Sequence, residues 1–163
     1  MAILKIGALN CRGQTKLNLA KQLQIQFLLK MNNLDILLCQ ETYINDTSFK
    51  NCEYIMKFYN IISNNALNEY GTLCIVKNSL DISDIKFDTE GRVITFNIDS
   101  ITVCNVYPKA GTDAESRKQR EILFAQTIPN MLRFRKQKII IGGDWNKNTD
   151  GHIFRDSLSI KVK

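Results

Sequence analysis

The chain has 163 residues, enough for one domain with a substantial buried core. Hydrophobic residues make up 44% and charged residues 23%, and these values argue against a disordered or low-complexity chain. The 22 basic residues exceed the 16 acidic ones by six. That balance suits nucleic acid or an anionic membrane as a partner, but it fits a soluble basic protein equally well.

The first 40 residues predict a strand, a helix and a second strand. Ile3–Asn10 is apolar and ends in a polar residue, as a buried strand does. The next segment repeats apolar residues at helical spacing, so Leu19, Leu23 and Phe27 are predicted to form the core-facing stripe of a helix. Leu34–Cys39 is a second buried strand, and the three elements together are typical of a parallel unit.

Further strands are predicted at Tyr54–Ser63, Thr72–Val76, Ile82–Phe87, Val93–Ile98, Ile101–Tyr107 and Lys138–Ile141. The Asp99-Ser100 pair predicts a tight hairpin turn between two of them. A helix is predicted from Asp113 to Arg133, with a kink or early end at Pro129. Many strands and few helices favour an α/β sandwich over a doubly wound sheet, in a single domain spanning 1–163.

Five cysteines lie at wide spacings, and none forms a C-x-x-C pair, which argues against a disulfide framework or a zinc site. Four lie in or beside apolar runs and are predicted to be buried thiols: Cys11, Cys39, Cys74 and Cys104. The sequence shows no leader peptide and no apolar run near the roughly 18 residues of a membrane span. These features predict a nuclear or cytoplasmic protein that is not secreted and has no membrane partner.

Polar groups follow three of the predicted buried strands: Asn10, Gln40-Glu41 and Asp144-Trp145-Asn146. Rigid strands aim such side chains into a shared crevice, so a site is expected there. Each group also has an ordinary explanation. Asn10 is a common turn residue, Glu41 fits a helix start or a solvated position, and Asp144 fits a carboxylate that accepts backbone N–H groups in its turn. Only the combination points to chemistry.

Five segments resemble, in order and spacing, the endonuclease/exonuclease/phosphatase superfamily: Leu9–Gly13, Leu38–Thr42, Glu90-Gly91-Arg92, Asn105-Val106-Tyr107 and Gly142–Asn146. The third and fourth segments, with the Arg- and Glu-rich helix that follows, are most similar to the apurinic/apyrimidinic-like endonuclease domain of non-LTR (LINE-type) retrotransposons. The resemblance extends from Leu4 to about Asp150.

The resemblance implies a four-layer sandwich of two packed mixed β-sheets flanked by helices. It implies a metal-dependent phosphodiester hydrolase that nicks DNA, with Mg²⁺ as cofactor and Mn²⁺ as an alternative. DNA is the expected partner, together with a reverse transcriptase domain in the parent element. The same core site would also serve a phosphoinositide or sphingolipid phosphodiesterase, although this chain has no spare length for the lid or membrane-contact loops of those relatives.

The resemblance also implies roles for individual residues. Glu41 and Asn10 would hold the metal, and Asn10 would also help to place the phosphate. Asp144 would orient or deprotonate the attacking water, while Asn146 and Tyr107 would contact phosphate oxygens. The ordinary alternative for Tyr107 is a packed strand aromatic.

Three neighbouring residues are predicted to support the site without taking part in catalysis. Gln40 lies beside it, Arg92 is expected to form a structural ion pair, and Trp145 is expected to pack behind it.

The family pattern continues with a downstream Asp and a Ser-Asp-His segment that carries a catalytic histidine. Here 17 residues follow Asn146, and the sole histidine, His152, has no Ser-Asp before it. His152 is therefore predicted to be a loop or surface residue. The chain is expected to be incomplete at its C-terminus, without the closing strands, and weak or inactive on its own. A non-catalytic remnant that binds DNA or metal is the remaining alternative.

Overall fold

The computed structural model describes residues 3–12, 19–42, 52–64, 71–133 and 138–146, and the backbone of 159–161. His152 and the Asp156-Ser157 pair lie outside these ranges. The strands are β1 Ile3–Asn10, β2 Ile36–Gln40, β3 Tyr59–Asn64, β4 Thr72–Lys77, β5 Ile82–Phe87, β6 Val93–Ile98, β7 Ile101–Val106, β8 Lys138–Gly143 and β9 Ser159–Lys161. The helices are α1 Leu19–Asn32, α2 Glu53–Phe58, α3 Ala114–Ile122 and α4 Ile128–Leu132, and a π-helical segment, Leu123–Thr127, joins the last two.

The strands form two mixed sheets. The first has the order β3-β4-β2-β1-β9, in which only β1 and β2 run parallel. The second has the order β5-β6-β7-β8, with β7 and β8 parallel. The predicted hairpin is confirmed, because β6 and β7 pair in register across the Asp99 turn.

Three apolar clusters hold the layers together. One lies between the sheets and takes Ile36 and Leu38 from the first sheet and Phe96 and Val103 from the second. Another joins the first sheet to α1 and α2, and the third joins the second sheet to the π-helical segment and α4. The expected α/β sandwich of two sheets flanked by helices is thereby confirmed. All five cysteines are buried free thiols.

The predicted core-facing stripe of α1 is wrong. Leu23 and Phe27 are exposed, whereas Ile25 and Leu29 are buried against the first sheet. The helix carries two apolar stripes at a spacing of four residues, and periodicity alone does not say which of them meets the sheet. The side chain of Leu19 lies outside the described part of the chain.

The predicted strand Tyr54–Ser63 is half right. Its first part is α2, and only Tyr59–Asn64 is extended. Tyr54 and Phe58 are four residues apart, and their ring centroids lie 5.0 Å from each other, which is the contact that favours a helical turn here.

The regular α-helix is interrupted just before Pro129, but the predicted early end at this residue is wrong, because the chain stays helical to Leu132. The backbone becomes π-helical over Leu123–Thr127 and returns to α-helix at Ile128. Pro129, which has no N–H to donate, comes directly after this segment, and the backbone of Thr127 and Ile128 before it is still helical. None of the helices in the described ranges has the length and apolar character needed to cross a lipid bilayer.

Replacing Leu29 by alanine tests which face of α1 is buried. Leu29 is fully buried and Phe27 is 61% exposed. Leu29→Ala is expected to lower the free energy of unfolding by about 2–5 kcal/mol, because a cavity forms in the core. Phe27→Ala, the control on the same helix, is expected to change it by less than about 0.5 kcal/mol. Urea denaturation measures both. A larger loss of stability in Phe27→Ala than in Leu29→Ala would show that the stripe predicted from the sequence is the buried one.

Candidate active site

Polar side chains collect at one end of the sandwich, where β1, β2, β7 and β8 all finish. Side chains alternate along a strand, so the inward-facing Leu4 and Ile6 place Asn10 on the inner face of the first sheet. The same alternation from the inward-facing Val103 gives an inward Asn105 and then Tyr107. Parallel pairing of β1 with β2 and of β7 with β8 brings their carboxyl ends to the same edge. The polar residues at the strand ends of both sheets therefore line one crevice between the two inner faces.

The fully buried amide of Asn105 joins the two sheets below this crevice. Its oxygen accepts a hydrogen bond from Gln40 Nε2 at 2.7 Å. Its nitrogen donates to the carbonyl oxygens of Cys39 and Leu73, both at 3.1 Å. The end of β7 is thereby fixed against the ends of β2 and the start of β4.

Glu41 does not follow the alternation of side chains along β2, and its side chain therefore reaches the site. Regular alternation would send it to the helix-covered face with Cys39, but its φ of 53° ends the extended backbone. Its Oε1 atom accepts hydrogen bonds from Tyr107 Oη and from Asn10 Nδ2, both at 2.9 Å. Three predicted site residues are thus in direct contact.

Asp144 completes the set from the second sheet. Its Oδ2 atom accepts from Asn10 Nδ2 at 2.5 Å, so one amide group links both carboxylates. Its Oδ1 atom accepts a hydrogen bond from the backbone N–H of Asn146 at 3.0 Å. This is the contact of a carboxylate with a backbone N–H in its own turn, which the sequence also allowed for Asp144. Asn146 Nδ2 donates to the carbonyl of Pro108 at 2.8 Å and so ties this loop to the one that follows β7.

Two glycines allow the close approach at this edge. A Cβ atom on Gly142 would lie 2.8 Å from Leu38 Cδ1 of the facing sheet. Gly143 has a φ of 150°, and a Cβ there would overlap the backbone of Val106 on the neighbouring strand. The Gly-Gly pair before Asp144 therefore has a packing reason.

Tyr107 is a buried, neutral hydrogen-bond donor. Burial raises the pKa of its phenol well above the usual value, and the neighbouring Glu41 raises that pKa further, whereas Arg92 and Asn146 act in the opposite direction. The guanidinium carbon of Arg92 lies 5.0 Å from the centre of the Tyr107 ring, in a cation–π contact. The Arg92 carbonyl also accepts the Tyr107 N–H at 2.8 Å. Tyr107 is thus both a packed aromatic and a contact of the carboxylate.

Arg92 itself is positioned by a turn that the sequence did not single out. Asp88 Oδ1 accepts the backbone N–H groups of Arg92 and Val93, each at 2.8 Å. Asn64 Nδ2 donates to the same oxygen at 2.8 Å and to the Val93 carbonyl at 3.1 Å. The run Asp88-Thr89-Glu90-Gly91 just before the start of β6 is a local turn signal that could have been noticed. The ion pair predicted for Arg92 stays a prediction.

The expected position of Trp145 behind the site is wrong. The side chain is 44% exposed and stacks on Phe124, with ring centroids 5.9 Å apart.

The donor set fits a hard divalent cation. Among the described residues no group of three His, Cys, Asp or Glu side chains comes together. Mg²⁺, however, is commonly held by one or two carboxylates and keeps several waters. Both hydrogen bonds to the Glu41 carboxylate involve Oε1, which leaves Oε2 without a hydrogen bond from the described residues. Asn10 presents its nitrogen to the carboxylates while its oxygen accepts the Arg12 N–H at 2.8 Å, so its role as a metal ligand stays a prediction.

No family model matches the sequence, and no curated protein matches it. Solved structures do match the fold. The 3′ phosphatase NExo from Neisseria, bound to a product DNA hairpin, superposes with a TM-score of 0.67 at 24% identity, over 88% of this chain and 57% of its own. An AP endonuclease from Archaeoglobus fulgidus gives 0.64 at 20% identity, over 88% and 57%. TDP2 from C. elegans gives 0.65 at 18% identity, over 89% and 48%.

The likeness to these proteins confirms the expected class of fold, the α/β sandwich of deoxyribonuclease type. At these identities it shows the fold alone. The chain spans between about half and three fifths of the length of these solved chains. The activities of the complete proteins are therefore a matter for proposal here.

Asn105→Ala tests whether the buried amide joins the sheets. The change leaves Gln40 Nε2 without its acceptor in a buried position, and each such unpaired group costs about 1–3 kcal/mol. We expect the free energy of unfolding to fall by at least that amount in urea denaturation. Asn60→Ala, an exposed position on β3, is the control and should change it by less than about 0.5 kcal/mol. Equal stability of the two variants would contradict the bridging role.

Proposed function

We propose that this chain is the catalytic part of a Mg²⁺-dependent phosphodiester hydrolase that nicks DNA, of the kind encoded by non-LTR retrotransposons. One observation carries most of the support: Asn10 links the carboxylates of Glu41 and Asp144 while Tyr107 donates to Glu41. The fold adds to it, since proteins of this fold include an AP endonuclease and a 3′ phosphatase bound to product DNA.

The metal would be held by Glu41, whose Oε2 atom accepts no hydrogen bond from the described residues, with Asn10 and solvent completing the shell. Mg²⁺, or Mn²⁺ in its place, supplies Lewis-acid stabilisation of the negative charge on the phosphate when bound. Asn10 keeps the Glu41 and Asp144 carboxylates at a fixed separation, since both accept from the same amide nitrogen.

Asp144 is the proposed acceptor of the proton from the attacking water. The backbone N–H of Asn146 fixes one of its oxygens and so orients the carboxylate. Asn146, through the Nδ2 hydrogen that Pro108 does not accept, and Tyr107, on exchanging its bond to Glu41 for one to the substrate, are the proposed donors to the phosphate oxygens. Such donors stabilise the charge that develops in the transition state. The raised pKa of Tyr107 keeps its hydroxyl protonated for this task.

The retrotransposon assignment is supported by the resemblance of the Glu90-Gly91-Arg92 and Asn105-Val106-Tyr107 segments. In this proposal the nicked DNA end serves a reverse transcriptase domain of the parent element, in the nucleus or cytoplasm. The resemblance also predicts a histidine-bearing segment for full turnover, so weak nicking by these 163 residues is expected.

Supercoiled plasmid provides the first test. In Mg²⁺ we expect slow conversion to the nicked circle, abolished by a chelator and reduced by roughly 100-fold or more in Glu41→Ala, because the metal loses its carboxylate. Glu121→Ala, an exposed glutamate on α3, is the matched control and should nick like the parent chain. Nicking that survives in Glu41→Ala or without metal would contradict the proposed mechanism.

Mn²⁺ binding, followed by electron paramagnetic resonance, reads the same site without turnover. Mn²⁺ binding that depends on Glu41, in a chain that does not nick DNA, would favour the alternative of a non-catalytic remnant. Equal Mn²⁺ binding by the parent chain and Glu41→Ala would remove the basis of the metal site.

Tyr107→Phe tests the contact with Glu41. The change removes one hydroxyl that fixes the carboxylate, and such supporting contacts are worth about 10- to 100-fold in metal affinity or activity. Tyr59→Phe is the matched control, since Tyr59 is also a buried tyrosine and its hydroxyl also donates a hydrogen bond, to the Leu34 carbonyl. We expect Mn²⁺ affinity to fall in the first variant and to stay unchanged in the second. Equal affinity in both would show that the Tyr107 hydroxyl is dispensable.

A further inference from the structure

A cavity lies at the end of the first sheet opposite the candidate active site. Tyr59, at the start of β3, pairs with Lys77 at the end of β4. The neighbouring Val76 pairs with Ile36, which begins β2, whereas Gln40 at the other end of β2 adjoins the active site. The cavity and the carboxylate cluster are thus separated by the length of the strand.

The cavity has a volume of about 320 Å³ and is lined by Tyr54, Phe58, Tyr59, Lys77, Asn78 and Ser79. This volume lies at the lower end of the range for small-molecule sites, about 300–1,000 Å³. Three of the six lining residues are aromatic, so a flat apolar group of modest size fits the space better than an extended polar one.

The aromatic rings form a connected cluster with an accessible side. The ring of Tyr54 lies 5.0 Å from that of Phe58 and 6.0 Å from that of Tyr59, between centroids. Phe58 is 43% exposed and Tyr54 is half-buried, whereas Tyr59 is buried and forms the base. Phe58 therefore offers the exposed aromatic surface that an incoming ring can contact.

Lysine side chains surround the rings. The Lys30 ammonium lies 4.1 Å from the centre of the Tyr54 ring, and that of Lys57 lies 5.4 Å from the centre of the Phe58 ring. Lys77 contributes a third ammonium, which is 3.1 Å from the Asp35 carboxylate. Lys77 is therefore neutralised by Asp35, whereas Lys30 and Lys57 are the two lysines that lie over aromatic rings.

The floor of the cavity is held by hydrogen bonds. The backbone N–H of Asn78 donates to the Phe58 carbonyl at 2.9 Å, and its side chain donates to the Lys57 carbonyl at 3.0 Å. Tyr59 Oη donates to the Leu34 carbonyl at 3.0 Å. The site is therefore formed before any ligand arrives.

We infer that this cavity binds an unpaired base of single-stranded DNA, with the adjoining phosphates beside Lys30 and Lys57. Aromatic surface that stacks on bases, combined with lysines that follow the backbone, is the chemistry by which proteins hold single strands. A paired base keeps its faces inside the duplex stack and does not enter a cavity of this kind. The inference does not depend on the metal chemistry at the other end of the sheet.

Fluorescence anisotropy with a labelled oligothymidylate of about eight nucleotides, in the presence of a chelator, tests the inference. We expect Phe58→Ala to weaken binding about tenfold, equivalent to about 1.4 kcal/mol. Lys57→Gln should weaken it and reduce the slope of log K against log salt by about 0.7, the value for one lost phosphate contact on a single strand.

The chain offers a matched control, since Lys86 and Phe87 are another adjacent pair, 43% and 49% exposed, on the edge strand β5. Lys86→Gln and Phe87→Ala should bind like the parent chain. Equal affinity in all four variants would overturn the inference, as would equal affinity for a duplex of the same length. A loss of affinity confined to Tyr107→Phe would also overturn it, because the oligonucleotide would then occupy the catalytic crevice. Circular dichroism melting of each variant identifies any effect that comes from unfolding.

Discussion

The buried amide of Asn105 ties the two sheets together next to the candidate site, and the geometry of the site depends on it. Asn105 is fully buried, and both its donor and acceptor atoms are used by the first sheet. In an apolar interior an unpaired amide is costly, so the register of β7 against β2 is strongly constrained. Tyr107 lies two residues beyond Asn105, and Glu41 lies one residue beyond Gln40. Fixing the amide pair therefore brings the phenol to the carboxylate.

Unusual backbone conformations occur at the same edge. Arg12, Glu41 and Asn146 have φ values of 46°, 53° and 46°, in the left-handed region that costs a side-chain-bearing residue some free energy. Arg12 lies two residues beyond Asn10, Asn146 lies two residues beyond Asp144, and Glu41 directly follows Gln40. Strain of this kind persists where the surrounding structure fixes it, and it tends to collect at functional sites. At Glu41 the benefit is visible, because the turn is what carries the carboxylate out of the strand alternation.

The first sheet carries different chemistry at its two ends. At the carboxyl end of β2, carboxylates are held together by neutral donors, Asn10 and Tyr107, an arrangement that suits a cation. At the other end, lysines lie over aromatic rings, an arrangement that suits an anion with a flat apolar group. Under the two proposals, a nucleic acid would offer phosphates to both ends, to a bound cation at one and to lysines at the other. The net charge of +6 is compatible with both.

The sequence by itself determined the class of fold and the strand ends that carry polar groups. Buried runs, alternation and turn residues act over a few positions, so they can be recognised in the chain as written. Most strands and the β6–β7 hairpin followed from such signals, and so did the grouping of Asn10, Glu41 and Asp144. Asn105 lies in one of the five segments that resemble the superfamily, but nothing local marked it as the link between the sheets.

Only the tertiary structure decided the remaining features. The contacts that form the site join residues 31, 65 and 134 positions apart, namely Asn10 with Glu41, Gln40 with Asn105, and Asn10 with Asp144. The buried face of α1 and the exposure of Trp145 were decided by what packs against them, not by their own neighbours in sequence. Periodicity reports that a face is apolar, while the choice between two apolar faces is made by the shape of the partner surface.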